Sequence, residues 1–413
     1  MPGRPGCRAA ITASGDAFIK MTLQPEPTRQ EPRGEIILRA VGGASHIGPD
    51  EWNACAGADD PFLSHGFFRA LEASGSASAE TGWLPQHLIA EREGRVLGIL
   101  PLYLKSHSFG EYVFDQGWAE AYERAGGRYY PKLQGGVPFT PVTGRRLLVR
   151  TGVDARPVED ALIEGSLALT ERLGASSLHV IFPGEAEWRR LSRAGFLPRT
   201  GLQFHWRNEA HRHFDDFLST LSSRKRKAIR KERRAAQAIE GIAFETLIGL
   251  EITERHWDAF DRCYRATSEG KWGYPYLTRA FFSHLGERLG SRVVLMLASR
   301  AGRTIAGALH LLGSDALYGR NWGSIEHHRF LHFELCYYRA IELAIEKGLA
   351  RVEAGAQGGH KLARGYLPVP TYSAHWIREP ALKEAVARYL DQERRQVGRE
   401  IGFLETFAPF RKS

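Results

Sequence analysis

The chain is expected to be a mixed α/β protein made of one unit repeated in tandem. Three observations predict it. Gly195-Phe-Leu-Pro, followed after six residues by His205-Trp206, returns as Gly365-Tyr-Leu-Pro with His375-Trp376 at the same spacing. Pro61-Phe-Leu-Ser, followed by Phe67, Phe68 and Leu71, returns as Pro275-Tyr-Leu-Thr, followed by Phe281, Phe282 and Leu285. Between these landmarks, runs with strand and helix periodicity alternate in the same order in both halves.

In the first half, Glu35–Val41 reads as a strand and Gly48–Trp52 as a helix entry. Pro61–Ser64 leads into an amphipathic helix. His87–Ala90 and Arg95–Lys105 form a hairpin around Glu91-Arg-Glu-Gly94. A short strand at Tyr112–Phe114, a helix over Val158–Leu173, a strand over Ser177–Phe182 and a helix over Glu185–Ala194 follow. The second half repeats the hairpin around Gly302-Arg303, the helix ending at Lys347-Gly348 and the strand Arg351–Ala354. The offset shrinks from 214 residues at the Pro-aromatic-Leu landmark to 170 at the His-Trp landmark. The first copy therefore carries an insertion of about forty residues around Trp118–Val142.

The expected boundaries are a disordered, proline-bearing leader over 1–33 and a first domain over 34–207, with its insertion at about 115–145. A basic linker helix over 208–240, a second domain over 241–379 and a C-terminal helix and tail over 380–413 follow. The linker holds eight cations in the eleven residues from Arg224 to Arg234. Such a run is either a solvated helix face or a surface for phosphates, with tRNA among the partners it would suit.

Composition narrows the function. Hydrophobic residues at 43% and charged residues at 25% are those of a globular protein, and no apolar run is long enough to span a bilayer. No apolar segment follows Arg4 and Arg8 as a secretory signal requires. Four scattered cysteines without metal spacing read as a reducing, cytoplasmic setting with no structural metal. The net charge of +9 permits a phosphate-bearing ligand without demanding nucleic acid.

The order of elements resembles the GNAT acyltransferase superfamily, and two such units in one chain resemble the Fem-type aminoacyltransferases. The nearest resemblance is to the FemAB-like predicted N-acyltransferases of peptidoglycan biosynthesis. It rests on Tyr129-Tyr-Pro-Lys-Leu-Gln134, Val137-Pro-Phe-Thr-Pro-Val-Thr-Gly144, Arg320-Asn-Trp-Gly323 and Leu331-His-Phe-Glu-Leu-Cys-Tyr-Tyr338. It implies tandem GNAT-like domains and transfer of an acyl or aminoacyl group to an amine. The donor would be a co-substrate, acyl-CoA or aminoacyl-tRNA, with no tightly bound cofactor. The acceptor would be a small amine or a cell-wall precursor. One departure bears on the donor: Glu326–His332 stands where GNAT enzymes carry a glycine-rich pyrophosphate loop.

The candidate chemistry lies in Arg351–Ile377, which only the second copy equips with polar residues. Glu353 ends an apolar strand. It is either a base with a raised pKa or half of a buried ion pair with Lys361 or Arg364. Lys361 would neutralise an oxyanion or donor phosphate, with His360 and Gln357 in the same loop. Arg320, Asn321 and Trp322 end a strand expected to line the splay that admits the donor. Glu334 sits in a first helical turn, where a carboxylate is already favoured as a cap. Asp115, Trp118, Tyr129, Tyr130, Lys132 and Gln134 form a polar-aromatic set in the insertion, suited either to a sugar or nucleotide or to holding the loop in place. No G-x-S-x-G elbow is present and no cysteine lies near Glu353, which disfavours a covalent intermediate.

Overall fold

A computed structural model describes residues 21–23, 34–272, 274–355 and 358–411. The 1–33 leader, apart from 21–23, and Gln357 lie outside the described residues.

The first half contributes β1 (Met21–Leu23), β2 (Ile36–Val41), β3 (Trp83–Pro85), β4 (His87–Arg92), β5 (Arg95–Leu100) and β6 (Leu102–Lys105). It also supplies β7 (Lys132–Gly135), β8 (Leu148–Val149), β9 (Ser177–Ile181) and β10 (Leu197–Arg207). The second half supplies β11 (Ile242–Ile248), β12 (Val293–Arg300), β13 (Arg303–Leu312), β14 (Ala316–Ser324), β15 (Arg351–Glu353) and β16 (Leu367–Ile377). β1 is a difference from the expected leader: its backbone pairs antiparallel with β2.

The repeated sequence landmarks become repeated structures. Both hairpins turn through two left-handed residues, Glu93-Gly94 and Ala301-Gly302, the twist that suits a two-residue connection. Both carry a bulge at the same place, after Ala90 and after Ala298. Ser64 and Thr278 each cap a helix by accepting from the N–H three residues on, at 3.3 Å. Gly174 and Gly348 end equivalent helices in the left-handed region, followed by matching reverse-turn hydrogen bonds. Gly195 and Gly365 likewise precede β10 and β16 with φ of 94° and 89°.

The sheets then depart from two successive domains. One sheet runs β1-β2-β4-β5-β8; the other has eleven strands in the order β11-β12-β13-β14-β15-β10-β16-β9-β7-β6-β3. β10 pairs with β15 of the second half, and β16 pairs with β9 of the first. The halves have exchanged their last strands, so expected boundaries at 207 and 241 do not separate two self-contained sheets. β10 and β16 also pair with each other over nine residues. The C-terminal helix Pro380–Glu405 packs on both through Leu382, Val386 and Leu390.

One apolar core joins Phe67, Phe68 and Leu71 of the first half to Phe281, Phe282 and Leu285 of the second. The echoed aromatic helices thus face each other across the pseudo-dyad. Burial of large apolar side chains at this seam, each about 1.5–3 kcal/mol, makes the halves one body.

Candidate active site

Parallel pairing of β14 with β15 covers only Ala316–Tyr318 and Arg351–Glu353. β15 ends there while β14 runs on to Ser324, so the strands part and leave a splay whose apex is Glu353. On the other side of Glu353 stands His205 of β10, its direct cross-strand partner.

The Glu353 carboxylate is buried, with 4% of the residue exposed. Oε1 accepts from Arg351 Nε at 2.9 Å. Oε2 accepts no hydrogen bond from a described residue and lies 3.6 Å from His205 Nε2. Burial pushes its pKa up to about 7, against the opposing pull of Arg351. Burial, with Arg351 and Arg207 nearby, holds His205 down at about 3. His205 is therefore neutral, and its contact with Glu353 is not an ion pair. Arg351 also donates to Tyr318 at 3.2 Å and pairs with Asp315. Half-buried Asp60, whose pKa desolvation raises, adds negative potential toward Glu353.

The ion-pair alternative for Glu353 is thus corrected in its partner. Arg351 fills that place, two residues back on the same face of the strand. Lys361 points elsewhere: its buried Nζ donates to Gly355 O at 2.8 Å, at the start of the loop that follows Glu353. Desolvation lowers its pKa to about 8. His360 sits among Phe333, Tyr337 and His332, with Nε2 2.9 Å from the Tyr337 hydroxyl; burial lowers its pKa.

Other expected ligand contacts are engaged inside the fold. Arg364 Nη2 donates to both Glu232 oxygens, at 2.9 and 2.8 Å, and the guanidinium lies 3.5 Å over the Phe333 ring. Glu334 is fully buried and receives both arms of Arg233, at 2.9 and 3.0 Å, plus Gln237. It anchors the basic helix. Arg320 donates to Phe139 O and to Thr140 Oγ1, tying β14 to the first half. Asn321 lines a small cavity at the seam, and Trp322 packs edge-on to His332.

The insertion residues gather at the other apex. β7 and β9 run parallel over Leu133–Gly135 and Leu178–Val180, and His179 pairs across to His375. Lys132 Nζ donates to Glu111 at 2.7 Å, to Ser108 at 2.8 Å and to Asp115. Tyr129 donates to Asp115 at 2.7 Å, and Tyr130 meets Ser108 at 2.8 Å. With its amide turned to donate, Gln134 lies 3.0 Å from both Glu111 oxygens. Trp118 packs edge-on against His375 at 5.0 Å. All but Tyr130 are buried, so the insertion forms a plug. His205, Arg351, Tyr318 and Asp60 around Glu353, and Lys105, Glu111 and His179 in the plug, were not singled out by sequence. The His-Trp echo of the repeat is the one sequence signal that falls on His205.

Among the described residues no group of three metal-ligating side chains could hold an ion, and no helix is long and apolar enough to cross a membrane.

A splayed parallel strand pair in each of two exchanged halves, with a buried carboxylate at one apex, is a tandem GNAT-like fold. The chain belongs to the FemAB-like family, described as peptidoglycan biosynthesis/recognition, whose model matches residues 43–412. As a member it is an enzyme that transfers an acyl or aminoacyl group. Similar solved structures include FemX, at 12% identity and a TM-score of 0.52, over 83% of this chain and 99% of that one. The C-terminal DUF2156 domain of an Agrobacterium fabrum protein assigned as a lysylphosphatidylglycerol synthetase is also similar. It aligns at 10% identity and a TM-score of 0.50, covering 82% of this chain and 96% of that one. At such identities these likenesses speak for the fold alone. No curated protein matches the chain.

Proposed function

We propose that the second-half splay catalyses direct attack of an amine on the carbonyl of an acyl thioester or aminoacyl ester. The acceptor proposed is an amine-bearing cell-wall precursor. One observation carries this reading: Glu353 Oε2 is buried, unpaired among the described residues and at the apex where the strands part.

The chemistry needs a neutral amine. With its pKa raised to about 7, Glu353 is ionised above neutrality yet basic enough to take a proton from an ammonium group at Oε2. Arg351 holds Oε1 and fixes the carboxylate plane. The amine nitrogen bonds to the carbonyl carbon and the C=O electrons move to oxygen; as the adduct collapses the C–S or C–O bond breaks, and the proton shed by the adduct's nitrogen passes to the departing sulfur or oxygen, leaving amide and thiol or alcohol. Lys361, still largely cationic below about 8, supplies positive charge in the loop beyond Glu353 for the developing oxyanion. No covalent enzyme intermediate enters this scheme.

The test is mass spectrometry of the product formed when the protein meets an amine-bearing muropeptide precursor with either acyl-CoA or an aminoacylated tRNA. An amide product formed by the wild type and lost in Glu353→Gln is expected. Equal product from both proteins would remove Glu353 from the chemistry.

A further inference from the structure

The function proposed above leaves the basic helix Ser223–Gln237 unexplained. Two of its charged side chains, Glu232 and Arg233, face inward and anchor it to Arg364 and Glu334. The side chains of Arg224, Lys225, Arg226 and Lys227 make no ion pair or hydrogen bond with any described residue. The first turn of the helix contains no acid, so these charges work against the helix dipole. A helix retained only for the fold would be better served by acids there.

A second feature lies on the C-terminal segment, which is tied to the start of this helix. Phe403 and Phe407 are 63% and 55% exposed and pack on each other at 4.9 Å near the end of the C-terminal helix. The segment after Phe407 is tied to the start of the basic helix. Ser222 N donates to Pro409 O at 2.9 Å, Arg411 N donates to Thr220 O at 2.9 Å, and Leu221 bridges to Phe410. Two large exposed aromatics therefore stand on the segment that is tied, through Pro409 to Arg411, to the turn from which the four cations follow.

We infer that this surface docks on an anionic phospholipid bilayer, with the phenylalanines entering the headgroup boundary and the cations meeting lipid phosphates. The pairing of exposed aromatics with a cluster of Lys and Arg is the composition that binds such interfaces. RNA shares the phosphate chemistry but fits less well. Phe403 and Phe407 cover one another at an interplanar angle of 66°, whereas single-strand readers offer separate ring faces to successive bases.

The experiment is flotation of the full chain with vesicles of phosphatidylcholine containing about a third phosphatidylglycerol, with neutral phosphatidylcholine vesicles and bulk tRNA as parallel arms. The wild type is expected to float with the anionic vesicles and not with the neutral ones. Arg224→Glu with Lys227→Glu should lower partitioning by at least about twentyfold, since each cation near such a surface contributes about fivefold. Phe403→Ser with Phe407→Ser should lower it about tenfold at unchanged tRNA affinity. All four side chains are exposed, so both variants should melt with the wild type. Three results would overturn the inference. One is no flotation. Another is tRNA binding that depends on the cations while vesicle binding depends on neither pair. The third is a dimer abolished by the phenylalanine changes, which would assign the surface to a second copy.

Discussion

The two apexes of this molecule occupy equivalent places and have been put to opposite use. His179 stands in β9 where Glu353 stands in β15, each opposite the His of a His-Trp pair supplied by the other half. Around His179 the insertion packs Asp115, Tyr129, Lys132 and Trp118, and burial beside Lys132 holds His179 down at about 3. Around Glu353 no insertion intrudes, and one carboxylate oxygen stays without a partner among the described residues. The lesson is that duplication fixed where a polar group sits at the apex, while one loop decided whether that group is fully engaged by neighbours or left with an unclaimed oxygen.

The sharpest way to break this comparison is a matched pair of substitutions. Glu353→Gln should lower turnover by about 10²–10⁴ and leave the melting temperature within a few degrees. His179→Gln should leave turnover per folded molecule unchanged. Equal kinetic losses from both, measured against folded protein, would refute the asymmetry.

A stability measurement sharpens the same contrast. Lys132→Met removes the cation that Glu111 and Asp115 share in a fully buried site. Urea denaturation should show a loss of about 3–5 kcal/mol, with specific activity of the folded fraction retained. A loss under about 1 kcal/mol would mean that the plug is not held by this ion cluster.

The pH dependence follows from the second apex alone. Glu353 must be ionised to accept a proton, so kcat/KM should rise as pH passes about 7. Lys361 must keep its proton to supply charge, so kcat/KM should fall as pH passes about 8. The acid limb should disappear in Glu353→Gln, and its persistence there would assign that limb to another group.

The smallest effect tests the duplication itself. Ser64→Ala and Thr278→Ala remove equivalent helix caps and should each cost about 1 kcal/mol by thermal melting. Markedly unequal costs would show that the caps have ceased to be equivalent.

Much of the fold was legible because its signals are local. The Gly-aromatic-Leu-Pro echoes, the left-handed glycines and the capping Ser64 and Thr278 act through neighbours within a few residues. The strand exchange was not legible, because an echo says that β10 and β16 are alike and nothing about which sheet each joins. Pairing choice depends on partners more than a hundred residues away, such as His205 with Glu353. At the site, Glu353 was visible as an acid closing an apolar strand. Its partner Arg351 stands at i−2 on the same strand face, a signal as local as the loop cations Lys361 and Arg364. The partners of Arg364 and Glu334 were not legible because the side chains that claim them, Glu232 and Arg233, lie over a hundred residues away.

The exchanged strands also govern what happens if the backbone is cut. A break in the Asn208–Arg212 connection leaves each fragment holding a strand that completes the other's sheet and lacking one for its own. Neither piece can close its hydrogen-bond ladder alone, so separately made halves should be insoluble or unfolded, whereas halves made together can reassemble. The molecule is in that sense a natural split protein. Because the Glu353 apex borrows His205 from the other fragment, reassembly and completion of the site would be one event.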